Sequence, residues 1–392
     1  MSRTNSTNVH AKDQRITRLE DDLVGRRITI ISDPLLSDHG PTRPVTLLTK
    51  ALKEKRFRIR IVTPKVSLSL ISELEELRTE VVSLDVKTVS RSETSILLET
   101  WMREIALRSR PREITDFGEL ILNFSSTICA ASHVWYVQGP VLITVTVDSV
   151  FDEMPWRYKI PYKLLRPLVE RLDFKFVNMT ANGSRWIYAN SGYTATLFKS
   201  LGLRSGDVIF PPVDTDKFKP TTETPSEDYA LTYFGKETKY ATIVKLADNG
   251  VKIKAFGGKM PPFSKDALVH PNIEFLGTIN DRQLAALYSN ALFTIFPFTN
   301  EPFGYVPVES MSCGTPTLSF NRQGPAETIV DGKTGWLVKS DSDMVECGKR
   351  LWKQKYDPKM RGSCRKHAKK NFDQAVFVDK FLVILQNVQQ ME

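Results

Sequence analysis

The chain has few of the residues that hold metals or disulfides: four cysteines and five histidines in 392 residues. Cys129, Cys313, Cys347 and Cys364 stand far apart with no Cys-x-x-Cys pair, so neither a zinc site nor a disulfide framework is expected. A reducing compartment fits that pattern. The sequence also lacks any run of about 18 uninterrupted apolar residues, so no membrane-spanning helix is expected. Its first two dozen residues are polar and charged without an apolar core, and no secretory signal is expected. There is no Cys/His finger, no basic heptad region and no aromatic–basic signature of a base-stacking sheet. With its basic residues scattered, the chain is not expected to bind nucleic acid. The expected location is the cytoplasm, free or peripheral on the cytoplasmic face of a membrane.

What is present suits a globular protein of two domains. Hydrophobic residues make up 41% and charged residues 25% of the chain, enough for two α/β domains of roughly 150–200 residues each. The net charge of +9 favours phosphate-bearing ligands or an anionic membrane surface, and carries no information about fold.

Along the chain, residues 1–24 read as a polar arm. A strand (Arg27–Ser32), a helix (Thr42–Lys55) and a strand (Arg58–Thr63) then open a βαβ pattern. Apolar runs at Glu80–Leu84, Glu119–Phe124, His133–Val137 and Leu142–Val147 read as further strands. A charged helix over about Glu93–Ser109 lies between the first two, and the strand Trp186–Asn190 leads into a helix from Ser191 to Ser200. Paired prolines at Pro211–Pro212 and the polar stretch TTETPSED mark a boundary. A second alternation runs from Tyr229. Its strands are Ala230–Gly235, Lys252–Phe256, Ile273–Leu276, Leu292–Pro297, Thr315–Phe320 and Gly335–Val338. Its helices are Tyr240–Asn249, Asp281–Asn290, Gly304–Cys313 and Pro325–Val330. The expected division is an N-terminal Rossmann-like acceptor domain over 25–212, a linker over 213–228, and a C-terminal Rossmann-like donor domain over 229–372. A terminal helix over 373–392 is expected to cross back to the N-domain. Both halves predict doubly wound sheets facing across a cleft.

The most informative stretch is Glu301–Val338, EPFGYVPVESMSCGTPTLSFNRQGPAETIVDGKTGWLV. A strand ends just before Glu301, and Gly304 opens a helix. The N–H groups of Gly304, Tyr305 and Val306 are therefore expected to point out of its first turn, where phosphate is bound by such donors and by the helix dipole. Pro307 suits a first turn because it has no N–H to offer. Glu301 before the helix and Glu309 within it can reach different parts of one ligand, and a carboxylate accepts two hydrogen bonds from vicinal hydroxyls. Two glutamates eight apart occur by chance in most proteins, so the surrounding text has to carry the reading.

That text resembles the donor-binding signature of glycosyltransferase family 4, retaining enzymes of GT-B fold. The matches, in order, are Glu301, Phe303, Gly304, Glu309, Met311, Gly314 and Pro316, then Gly324 and Glu327, then Asp331–Val338. The resemblance implies that Glu301 holds the donor sugar near the reacting carbon, Glu309 the nucleotide ribose, and the Gly304–Tyr305 backbone the diphosphate. It extends less sharply over about Arg26–Val338. YFGKETK at Tyr233–Lys239 falls where the family carries two basic residues for the diphosphate. Lys236 matches the first, and Lys239 stands in for the second two positions early, with Lys245 read as a helix-surface lysine. YANSGYTATLFKSLG at Tyr188–Gly202 is similar to a family strand-to-helix turn, in which Ser191 caps the helix.

The sequence departs from the family in two places. The first loop has one glycine, Gly40, where the family has a pair near the phosphates. Val147 stands before Asp148 where a histidine commonly faces the donor sugar, leaving Gln138, Asp148 or His133 to take its place. Asp214-Thr215-Asp216 spells a metal-chelating DxD, but in a proline-rich linker it is expected to cap a turn, and no metal is expected. Trp156–Lys175 mixes aromatics, leucines and basic residues. Pro161 and Pro167 predict a kinked pair of helices there, and the basic amphipathic character suits an anionic bilayer.

The expectation is a metal-independent retaining hexosyltransferase that needs no bound cofactor. Its partners would be a nucleotide-diphosphate sugar and a carbohydrate or lipid-linked acceptor, with the donor phosphate assisting deprotonation. Glu301, Lys236 and Lys239 would be catalytic, and Glu309, Phe303, Gly304, Tyr305, Val306, Gly40 and Asp148 would bind the donor. The alternatives are a nucleotide-sugar epimerase of the same fold and a catalytically weak binding subunit. The donor base, with GDP-mannose and UDP-glucose both open, the acceptor and the oligomeric state stay undetermined.

Overall fold

A computed structural model describes residues 27–36, 40–84, 86, 93–114, 120–139, 141–149, 151, 154, 156–258 and 268–390. The polar arm over 1–24 lies outside the described residues.

The first half folds as β1 (Arg27–Ile31), α1 (Arg43–Glu54), β2 (Arg58–Thr63), α2 (Leu68–Glu76), β3 (Glu80–Ser83), α3 (Glu93–Leu107), β4 (Leu120–Asn123), β5 (Ser132–Val137), α4 (Ile143–Asp148), α5 (Trp156–Asn182), β6 (Ser184–Ala189) and α6 (Gly192–Ser200). Its six strands form a parallel sheet in the order β3-β2-β1-β4-β5-β6. Three of the five residues of the central strand β1 are isoleucines, and Ile28, Ile30 and Ile31 are fully buried because helices cover both faces. The edge strand β3 is short and mostly exposed, which suits an edge.

The second half comprises β7 (Ala230–Tyr233), α7 (Tyr240–Asp248), β8 (Ile253–Phe256), β9 (Ile273–Gly277), α8 (Asp281–Asn290), β10 (Thr294–Phe296), α9 (Tyr305–Ser312), β11 (Thr317–Phe320), α10 (Gln323–Thr328), β12 (Gly335–Val338), α11 (Asp341–Gln354) and α12 (Lys359–Phe372). Its parallel sheet runs β12-β11-β10-β7-β8-β9. The fold is GT-B, two Rossmann-like domains facing across a cleft. In each sheet the strand order reverses beside the first strand, between β1 and β4 and between β7 and β10. Ligands of such sheets bind at the carboxyl ends of the strands flanking that reversal.

The last helix, α13 (Gln374–Gln390), packs on the first domain. Phe377, Phe381, Leu382, Leu385 and Val388 join the core of the N-terminal sheet, with Phe381 stacked on Phe124 at 5.3 Å between ring centroids. The two crossings between the domains lie side by side. The Val213 N–H donates to the Phe372 carbonyl at 2.8 Å, and the Gln374 N–H donates to the Val213 carbonyl at 3.1 Å.

Two expectations about elements fail. The run Leu142–Val147 is the helix α4 instead of a strand, despite its β-branched residues. The carboxylate of Asp173 supplies the cap, accepting the N–H groups of Ile143 and Thr144 at 2.9 Å each and the Thr144 hydroxyl at 2.7 Å. The stretch with two prolines is one helix of 27 residues instead of a kinked pair. Pro161 and Pro167 each remove a bond to the carbonyl four residues back, at Arg157 and Lys163. Both of those residues are exposed, so water can take the place of the missing donors.

Candidate active site

The site is built on the loop that follows β10, at the strand-order reversal of the C-terminal sheet. Glu301 is pinned there on both sides of its backbone. Its N–H donates to the Gln323 side chain at 2.6 Å, and its carbonyl accepts the Gly324 N–H at 3.0 Å. Its carboxylate accepts the N–H groups of Gly304 at 2.9 Å and Phe303 at 3.3 Å. Gly304, just ahead of α9, adopts a φ of 92°, which an L side chain rarely tolerates. Gly324 has a different reason to be glycine, since any Cβ there would press into the Phe303 backbone. Burial pushes the Glu301 carboxyl up to about 7, and the charge of Glu237 adds to this; the two backbone N–H donors and the Lys236 ammonium pull the other way.

The expectation that the Gly304 N–H faces outward therefore needs correction, because Glu301 already holds it. Lys236 follows β7, is exposed, and stands close enough for its charge to favour the ionised form of Glu301. Lys239, expected as a second diphosphate cation, stands at the start of α7. Its ammonium is bound by the Asp341 carboxylate at the start of α11 and lies 5.1 Å from the Phe320 ring centroid. Lys245 is an exposed residue of α7.

Glu309 lies one turn into α9 and is only 4% exposed. It accepts Arg43 Nη1 from the first domain at 2.5 Å and the Tyr288 hydroxyl at 3.2 Å. Phe303 is buried, with its ring edge-on to Tyr305 at 5.1 Å, so it shapes the loop from within. Val306 packs against the core beneath the C-terminal sheet. From the first domain, Gly40 opens a short 3-10 turn before α1 with a φ of 59°. Gly139 follows β5 and approaches Pro302 so closely that a Cβ would lie 3.0 Å from the proline ring.

The three residues considered for the missing histidine are all engaged within the first domain. Asp148 sits on α4 and not on a strand. It is paired with Arg166 at 2.8 Å and accepts the Tyr162 hydroxyl at 2.7 Å, both on α5. His133 Nδ1 accepts the Ile121 N–H at 2.9 Å, and the Gln138 side chain donates to the Phe124 carbonyl at 3.0 Å. Ser191 caps α6 through the Thr194 N–H at 3.2 Å, and Asp214 accepts the N–H groups of Asp216 and Lys217 in a tight turn.

Sequence reasoning missed Arg43, Glu237 and Gln323, and it singled out Glu327 without giving it a role. Glu327 reaches across the cleft and accepts the Gly192 and Tyr193 N–H groups at the start of α6, each at 2.7 Å. Arg43 did carry a signal, because a cation at the start of a helix opposes the dipole and needs another reason to be there.

Comparison with known proteins bears on the fold and on one segment of the chain. Residues 262–371 match the family model described as glycosyl transferases group 1. The alpha-1,3/1,6-mannosyltransferase ALG2 of Rhizomucor pusillus is 33% identical over 117 residues, 29% of this chain and 26% of that protein. ALG2 of Mus musculus is 26% identical over 195 residues, 40% of this chain and 46% of that protein. The chain thus aligns with about a quarter of the first of these relatives and less than half of the second. Among solved structures, the sucrose-phosphate synthase tll1590 of Thermosynechococcus elongatus superposes with a TM-score of 0.69 at 15% identity, covering 93% of this chain and 100% of that one. Anabaena Alr3699/HepE in complex with UDP-glucose gives 0.63 at 14% identity, with 93% and 100% covered. The segment 262–371 thus matches the glycosyl transferases group 1 model, within a chain whose fold is that of the solved GT-B structures.

Proposed function

We propose that the chain is a retaining, metal-independent hexosyltransferase that uses a nucleotide-diphosphate sugar. The observation carrying this reading is the meeting of Glu301, Lys236 and the start of α9 at the strand-order reversal of the C-terminal sheet. A sugar leaving its diphosphate passes through an oxocarbenium-like state. An ionised Glu301 favours the positive charge that grows on the ring and accepts sugar hydroxyls. Lys236 and the dipole of α9 favour the negative charge that grows on the diphosphate. In the reaction, the bond from the anomeric carbon to the diphosphate oxygen breaks as the acceptor oxygen bonds to the same face of that carbon. The acceptor proton passes to a departing phosphate oxygen, so no side chain has to serve as base.

The relatives bear the name of a mannosyltransferase, and one structural neighbour holds UDP-glucose. Mannose and glucose donors on guanosine and uridine diphosphate are therefore the first substrates to test. On the acceptor side, the first half of α5 exposes Trp156, Tyr158, Ile160, Leu164, Leu165 and Leu168 among basic residues. That surface suits a lipid-linked acceptor presented at an anionic membrane. Incubating the protein with labelled GDP-mannose and UDP-glucose should release nucleoside diphosphate from one of them, and Glu301→Ala should lose this at least a hundredfold while melting as the parent does. Donor binding without turnover would make the chain a binding subunit. Full activity in Glu301→Ala would remove Glu301 from the site.

A further inference from the structure

We propose that Arg43 is the first domain's cation for the donor. It holds Glu309 before the donor binds, then passes its charge to the diphosphate and leaves Glu309 to the nucleotide's hydroxyls. This rests on the reading of the cleft as a nucleotide-sugar site.

The argument begins with where the residue stands. Arg43 is the first residue of α1, directly after the turn at Gly40. A cation there works against the helix dipole, so α1 gains nothing from it. Yet the residue is only 8% exposed, and its guanidinium lies 4.8 Å from the ring centroid of Tyr305, the residue that opens α9. The first domain thereby delivers a positive charge to the helix start beside which Glu301 lies.

Charge balance supplies the second step. A departing diphosphate gains negative charge beyond what it carries in the donor, and preorganised cations stabilise that charge. Lys236 and Lys239, the lysines expected to serve, both come from the second domain, and Lys239, like Arg43, already holds a carboxylate, here that of Asp341. Arg43 adds a cation from the first domain, and its planar, always-charged guanidinium suits phosphate better than an ammonium does.

Glu309 supplies the third. Held by Arg43 at 2.5 Å and by the Tyr288 hydroxyl at 3.2 Å, its carboxylate is engaged. Breaking a buried pair by removing one partner is strongly unfavourable, whereas exchanging partners leaves neither group bare. A nucleoside diphosphate offers both partners at once, anionic oxygens for the arginine and vicinal hydroxyls for the glutamate. A nucleoside offers only the hydroxyls, and entering would strand the arginine.

Titration calorimetry with GDP, guanosine, UDP and uridine on the full chain and on Arg43→Gln tests this. The expected result is at least a tenfold loss of affinity for the diphosphate, with nucleoside affinity unchanged or tighter, and with Arg43→Lys recovering part of the loss. Equal losses for nucleoside and diphosphate would reduce Arg43 to a packing residue, and no loss for either would remove it from the site. Should Arg43→Gln not fold, the doubly neutral Arg43→Gln/Glu309→Gln protein permits the same comparison, and it too should have lost its preference for the diphosphate. If the parent protein binds neither GDP nor UDP, the nucleotide-sugar reading falls and Arg43 with it. If the parent binds and Arg43→Gln binds equally well, only the role of Arg43 falls.

Discussion

Glu301 concentrates the chemistry of the site in one carboxyl group. Because burial and Glu237 raise it to about 7, the folded protein holds a proton there that the unfolded chain has released. Between the ordinary glutamate value and about 7 this group's contribution to stability declines as pH rises, since the native state binds more protons. Activity should run the other way if the ionised carboxylate is the working form. We expect kcat/KM to rise through pH 7 and level off above it, and Glu301→Gln to lose most activity together with that limb. An unchanged rise in Glu301→Gln would assign the titration to another group. Glu301 and Lys236 were picked out because each sits in a run of neighbours that resembles a family motif. Arg43 and Glu237 were not, since their meaning depends on residues far along the chain, 266 positions away for Arg43 and Glu309.

Among elements, α6 shows how the two domains depend on each other. Ser191 binds the Thr194 N–H from within the first domain, while Glu327 of the second binds the Gly192 and Tyr193 N–H groups. A helix start left without its cap loses about 1 kcal/mol, and a carboxylate there also complements the dipole. Glu327→Ala should therefore lower stability by about 1 kcal/mol in urea unfolding, and should raise amide exchange at Gly192 and Tyr193 while Thr194 stays protected. Loss of protection at all three amides would show that Glu327 holds the whole helix and not only its first two donors. Most strands and several helices could be read from the sequence, Gly335–Val338 and Asp281–Asn290 to the residue. The failures share a cause. The strand-like run of α4 is made a helix by Asp173, some thirty residues later, and α5 keeps its prolines because its first half is exposed. In both cases context outside the local window decided the outcome.

At the scale of the whole molecule, the first half of α5 carries six of the exposed large hydrophobic residues among the described residues, with Trp156 76% and Leu164 77% exposed. Aromatic and aliphatic groups set among lysines and arginines suit the headgroup boundary of an anionic bilayer. The protein should sediment with phosphatidylglycerol vesicles, less with phosphatidylcholine, and Leu164→Glu combined with Trp156→Glu should weaken the association at least tenfold. Equal sedimentation of parent and variant would place the contact elsewhere. None of the described helices is long and apolar enough to cross a membrane.

The paired crossings at Val213 and Gln374 give such a molecule a particular way to move. Since Val213 is bonded to both Phe372 and Gln374, a displacement of one domain that kept this short ladder whole would have to pivot there. Such a pivot would act on the grip of Arg43 on Glu309 and that of Glu327 on α6 together, because both span the two domains.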